Sequence, residues 1–120
     1  LNATASPPAE AAAAAEVVVL SLPWRNAEAS IKALGSLAGK VVIDCTNPVM
    51  IGPEGVGMLP IQAPSGAHLI ANAAQGGRVV KTLNQVGFNI MANPAAAAAP
   101  ALMFVAGDDA VAKAVASELV

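Results

Sequence analysis

Four short apolar runs punctuate the chain, each followed by a stretch with helical spacing. They are Val17-Val18-Val19-Leu20-Ser21-Leu22, Val41-Val42-Ile43-Asp44-Cys45, Val79-Val80-Lys81-Thr82-Leu83 and Leu102-Met103-Phe104-Val105-Ala106. The first two are β-branched and nearly continuous rather than alternating. A strand covered on both faces reads that way, and such strands belong to parallel sheets flanked by helices. Between the runs the period lengthens. After Asn26, a residue suited to an N-cap, Ile31, Leu34 and Leu37 recur at helical intervals, and Gly39 closes the element. Ser65 heads a helix that carries Leu69, Ile70, Ala73 and Ala74 on one broad face and ends at Gly76-Gly77. Val86 and Ile90 share a face until Asn93-Pro94 stops them. Asp108 heads a last helix, with Val111, Val115 and Leu119 along one stripe. Glu10 and the run Ala11 to Ala15 read as the end of a helix that leads into the first strand. This alternation predicts an α/β fold, a doubly wound parallel sheet, over residues 1–120.

Composition narrows the picture. The hydrophobic fraction is 56%, but about a quarter of the chain is alanine, which buries little area. The core must therefore rest on the Val, Ile, Leu and Met runs. Trp24, Phe88 and Phe104 are the aromatic residues. Net charge is -2 and the six basic residues are scattered, which argues against a nucleic-acid partner. The lone cysteine, Cys45, forms no disulfide within the chain and suits a reducing compartment. No apolar run is long enough for a membrane span. A cytoplasmic location is the expectation.

Ligands of open α/β sheets bind outside the carboxyl ends of the strands. The residues that follow each strand are therefore the ones to examine. Pro23-Trp24-Arg25-Asn26 follows the first, Thr46-Asn47-Pro48 the second, Asn84-Gln85 the third and Gly107-Asp108-Asp109 the fourth. Trp24 serves either as a pocket wall or as a core plug. Asp44 either faces a ligand or accepts bonds from backbone amides at the strand end. From Asn47 to Pro64 runs a segment rich in Gly and Pro, read either as a flap over a ligand or as a plain surface excursion. Its Gly52-Pro53-Glu54-Gly55-Val56-Gly57 is no phosphate-binding loop, because it lacks the GxGxxG order and a helix directly after it. Cys45 is expected in the core. His68 is expected to be solvated or to serve the helix cap. Asp108-Asp109 reads as a helix cap, and Lys81 as a strand lysine that snorkels without a catalytic role. One cysteine and one histidine make no credible metal site.

Four blocks carry a resemblance to a known family. Val17-Val18-Val19-Leu20-Ser21-Leu22-Pro23-Trp24 resembles the "VVVLAVPW" strand of the NADPH-dependent F420 reductases. Ala38 to Pro48 looks like their "GKVVIDATNP". Arg78 to Gly87 is similar to "ARVVKAFNTVG", and Met103 to Asp109 to "MFVAGDD". The blocks occur in the right order and spacing and cover nearly the whole chain. The resemblance implies a Rossmann-like fold that binds NADP(H) and passes a hydride between the nicotinamide and the deazaflavin coenzyme F420 or a similar acceptor. By the same carry-over, Leu22, Pro23, Trp24, Asn47 and Pro48 line the cofactor pocket on its nicotinamide side. Ser65, Asn84 and the Gly-rich loop lie toward the substrate. The resemblance names no catalytic side chain and no metal.

The chain departs from that family in lacking a GxGxxG turn, which normally receives the pyrophosphate in the first strand-to-helix turn. It begins at Leu1 and stops at Leu119-Val120 inside a helical stretch. Both ends read as cut. The expectation is a partial NAD(P)-binding domain whose first βαβ unit is missing and which is inactive alone. NADP rather than NAD is inherited from the resemblance. The expected partners are a small-molecule cofactor and substrate, with a homodimer through exposed strand edges as a further expectation. Two other readings stay open: a different reductase or dehydrogenase of this fold, such as a pyrroline-carboxylate reductase, and a non-catalytic cofactor-binding module.

Overall fold

The computed structural model describes residues 2–120. Leu1 lies outside them. The sheet has three parallel strands, β1 (Val17–Leu20), β2 (Val41–Asp44) and β5 (Arg78–Lys81), in the order β1-β2-β5. A separate antiparallel hairpin pairs β3 (Val49–Gly52) with β4 (Gly55–Met58). The helices are α1 (Pro8–Ala14), α2 (Trp24–Lys32), α3 (Gly66–Ala73), α4 (Phe88–Ala92) and α5 (Ala110–Leu119). A short 3-10 turn, Pro94–Ala96, follows α4.

The central strand explains the layering. All four residues of β2 are buried. Val42 faces a cluster with Val18, Leu20, Ile31, Leu37 and Ile70, which binds α1, α2 and α3 to one face of the sheet. Val41 and Ile43 face the other way, where Val80, Ala112 and Ala116 join them under α5. Each fully buried Val, Leu or Ile side chain contributes about 1.5–3 kcal/mol relative to exposure. The two clusters are thus the main source of cohesion. Lys40 adds a tie, because its Nζ donates to the carbonyls of Ala13 (3.0 Å) and Ala15 (2.6 Å) at the end of α1. Those carbonyls have no helical partner of their own.

Several expectations are corrected. Asn26 is no N-cap: α2 starts at Trp24, with Pro23 in the cap position and its extended backbone setting the entry. Nor does that helix reach Gly39. It ends at Lys32, and Leu37 is buried from the loop that follows. The last helix is capped by Asp109, whose carboxylate accepts from the Ala112 amide at 2.8 Å, and not by Asp108. Its buried face is Ala112 and Ala116, while Val111 and Leu119 stand outside, each 61% exposed. Small side chains let the helix lie close on Val80 and Ile43. The fourth apolar run is no full strand. It meets β5 through one antiparallel bridge, in which Lys81 and Ala106 exchange backbone bonds of 2.8 and 3.0 Å. Gly107 makes this approach feasible, since a Cβ there would stand 2.9 Å from the Val79 carbonyl oxygen.

The strand on the other edge, β1, is flanked by an apolar groove of about 640 Å³ lined by Pro8, Val19, Leu22, Ala33 and Leu34 among others. No helix among the described residues is long and apolar enough to cross a membrane.

The α5 assignment yields a direct test. Ala116→Leu should cost about 1–3 kcal/mol by overpacking the sheet face, whereas Val111→Ser should change stability by no more than about 0.5 kcal/mol. Urea denaturation of both variants reads the difference. Equal effects would contradict the packing described.

Candidate functional site

The three parallel strands are in register, with Leu20 beside Asp44 and Asp44 beside Lys81. Their carboxyl ends therefore share one edge. The segments that leave it carry Leu22 to Trp24, Cys45 to Pro48 and Thr82 to Asn84.

Asp44 anchors this edge. It is fully buried, and an ionised carboxylate there is tolerated only with partners that replace water. Its Oδ1 accepts from the Thr46 backbone amide (2.8 Å) and the Thr46 hydroxyl (2.7 Å), which bends the chain into a tight turn after β2. Its Oδ2 accepts from Lys81 Nζ at 3.0 Å. The ammonium also donates to the Thr46 carbonyl at 2.6 Å. Of the two readings of Asp44, the backbone-amide role is therefore the one the structure bears out. Lys81 does not snorkel outward. It folds over the end of β2 with only 19% of its side chain exposed. The pair was missed in the sequence. Its signal was positional: in Val41-Val42-Ile43-Asp44 and Arg78-Val79-Val80-Lys81 the two charges hold equivalent places.

Beyond the ion pair, the two strand ends are clamped by their asparagines. Asn47 Nδ2 donates to the Asn84 carbonyl at 3.0 Å, and Asn84 Nδ2 donates to Asn47 Oδ1 at 3.0 Å. Asn84 Oδ1 is buried and has no partner among the described residues. The turn that brings Asn84 round contains Leu83 at φ +60°. A left-handed conformation costs an L-residue with a side chain about 1–2 kcal/mol, and such strain gathers at functional sites.

Apolar surfaces border the clamp. Pro48 is buried. Trp24, the first residue of α2, is half-buried and packs on the core cluster with Leu22. At the start of α3, a Cβ on Gly66 would lie 3.1 Å from Trp24 Cη2 and 3.6 Å from Pro48 Cδ, so the glycine lets the indole sit a few tenths of an ångström closer to the helix than a side chain would, with Pro48 at ordinary contact distance. Trp24 thus has the contacts of a core plug while touching the edge that holds Pro48. Pro23 is exposed beside it.

Ser65 caps α3 as expected, accepting from the His68 amide at 3.4 Å. Its Oγ also lies 2.8 Å from His68 Nδ1, so the exposed histidine serves the cap. The structure brings Asn47, Pro48 and Asn84 together, with Trp24 and Ser65 attached through Gly66. Leu22 instead lines the groove along β1. That groove lies away from the polar clamp. We place the candidate site at the clamp, because its polar groups are fixed and the groove offers chiefly apolar side chains. The long segment after Pro48 forms the β3–β4 hairpin, which the sequence reading missed. Val56 and Ile51 are 71% and 84% exposed there, so the hairpin is not packed as a closed flap. Among the described residues, no three His, Cys, Asp or Glu are grouped to hold a metal ion.

A parallel sheet covered on both faces, with fixed polar groups at its carboxyl edge, is the architecture of the Rossmann-like class. Within that class, residues 1–48 match the family described as NADP oxidoreductase, coenzyme F420-dependent. The segment that carries β1 and β2 is thus similar to that family, in line with the resemblance. Over 95% of its length the chain superposes with a TM-score of 0.83 on a structure from Arthrobacter sp. FB24 described as a candidate F420-dependent NADP-reductase, at 33% identity. A hypothetical protein from Sinorhizobium meliloti shares the fold at 20% identity, with a TM-score of 0.78 over 92% of the chain. In each case the chain spans 54% of the other protein's structure. No curated protein matches it.

Two predictions follow from this geometry. Asp44→Ala leaves the Lys81 ammonium without its counter-charge and should lower stability by about 3–5 kcal/mol, readable by chemical denaturation. The Cys45 thiol is pushed up by burial first and by the Asp44 carboxylate second, with Lys81 pulling it partly back. The thiolate is the nucleophile. Alkylation by iodoacetamide should therefore be slow at neutral pH and keep rising beyond the range where an ordinary cysteine levels off. A plateau at or below the ordinary range would contradict the assignment.

Proposed function

We propose that this chain binds NADP(H) at the carboxyl edge of its sheet. There it takes part in hydride transfer between that cofactor and the deazaflavin coenzyme F420 or a similar acceptor. The observation that carries the reading is the Asn47–Asn84 clamp, whose Asn84 Oδ1 is buried without a donor among the described residues. Such an acceptor fits the N–H of a carboxamide, and nicotinamide carries one. Pro23 and the half-buried Trp24, backed by the buried Pro48, supply the apolar surface that suits a flat ring, while Leu22 lies on the groove along β1. The family match over residues 1–48 and the Arthrobacter likeness support the same cofactor.

When bound, the nicotinamide supplies the hydride. The chain's own residues bind and orient the rings and keep water away, which is most of what such a transfer requires of a protein. Neither a nucleophile–base pair nor paired carboxylates are called for. Ser65 stays on the substrate side, whereas Asn84, which the resemblance put there, is read here as facing the nicotinamide through its Oδ1. A pyrophosphate turn of the GxGxxG kind does not occur in the sequence. The 120 residues in isolation should therefore bind weakly, and the domain is read as one part of an NAD(P)-binding unit. The lone free thiol suits a cytoplasmic setting.

The test is a titration of the full-length protein with NADPH and NADH, followed by mixing with F420. The expected result is preferential NADPH binding, transfer to the deazaflavin, and about a tenfold loss of affinity, near 1.4 kcal/mol, in Trp24→Ala. Binding without transfer would retain the cofactor and reject the acceptor. Binding of neither nucleotide would overturn the reading.

A further inference from the structure

Lys81 makes two bonds where charge balance needs one. The contact with Asp44 Oδ2, at 3.0 Å, neutralises a buried carboxylate. The contact with the Thr46 carbonyl, at 2.6 Å, neutralises nothing. Thr46 is itself 3% exposed, and it is the residue just before Asn47. The same ammonium therefore fixes the backbone from which the asparagine clamp springs. The clamp then returns to the strand it came from, because Asn47 bonds to Asn84, three residues beyond Lys81. Lys81 to Thr46, Thr46 to Asn47, Asn47 to Asn84, and Asn84 back through Leu83 and Thr82 to Lys81 make a closed ring. Leu83, at φ +60°, is the tight corner of that ring. A strained corner persists only where its surroundings over-determine it. The bonds from Lys81 and between the asparagines supply that constraint on either side.

We infer that Lys81 is a positioning residue. It sets the exit turn of β2, and through it the Asn47 amide, Pro48 and the unpartnered Asn84 oxygen. The functional half of this inference rests on reading the clamp as the NADP(H) site, while the geometric half rests on the ring alone. Lys81 contacts Asp44 and Thr46, and the assignment is not that of a catalytic residue.

The experiment compares the full-length protein with Lys81→Met, Lys81→Arg and the double variant Asp44→Asn/Lys81→Met. The double variant removes both charges, so it tests the second bond without leaving a buried carboxylate alone. It also keeps the comparison available where Lys81→Met fails to fold. Two quantities are read: the NADPH dissociation constant, and the side-chain amide NMR signals of Asn47 and Asn84 without nucleotide. The expected result is a shift of both amide signals in the Met variants, with affinity about tenfold weaker in each, even where the double variant recovers thermal stability. Lys81→Arg should retain most of the affinity and the parent amide signals. A double variant that binds NADPH like the parent, with its amide signals unmoved, would overturn the inference and leave Lys81 a counter-ion only. Should the parent protein bind no NADPH, the proposed function falls, and the amide signals alone decide the positioning role.

Discussion

A carboxylate without contact with water ends the central strand, and the folded chain meets it with an ammonium, a hydroxyl and a backbone amide. Ions taken from water cost several kcal/mol each even after relaxation, so geometry of this kind has to be satisfied almost completely or not built at all. The constraint reaches beyond the pair. If β5 slipped by one residue against β2, Val80 or Thr82 would stand opposite Asp44, and the charge would lose its partner. Apolar burial specifies the faces of the two strands. The ion pair specifies their alignment, and with it the common edge at which β1, β2 and β5 end.

From that edge outward, the structure is a series of dependencies. Asp44 bends the chain at Thr46, the bend presents Asn47, and Asn47 closes on Asn84. On the apolar side, Gly66 lets Trp24 and Pro48 meet the start of α3. The α2–α3 layer is thereby joined to the same strand end that the ion pair fixes. The opposite layer is thinner. It is made by the alanines of α5, whose contribution is closeness rather than volume.

How far this was legible in the sequence differed by element. The first two strands stood out as continuous β-branched runs, and both were found in place; burial on both faces holds for the central β2 but not for the edge strand β1, where Val19 is 54% exposed. The α3 cap at Ser65 was equally clear, since a capping hydroxyl is a local signal. The β3–β4 hairpin was missed. Val49-Met50-Ile51 and Val56-Gly57-Met58 show no polar alternation, and Pro53-Glu54 is not one of the usual two-residue hairpin turns. The α5 face was assigned to its larger residues, but the neighbouring sheet selected the smaller ones. Of the site, Asn47, Pro48 and Asn84 could be named from their positions after strands. The Asp44–Lys81 pair could not, because the residues lie far apart in the chain and meet only through register.

Leu83 has one further consequence. A side chain branched at Cβ is far less compatible with its backbone conformation than leucine, and glycine or asparagine is more so. The position therefore acts as a filter on sequence drift. Among descendants of this chain it should wander between residues not branched at Cβ, Asn and Gly above all, and avoid Val, Ile and Thr. Those are the residues that the strand before it prefers. A single torsion angle thus marks where β5 must stop, and it does so by excluding the very amino acids that would extend the strand.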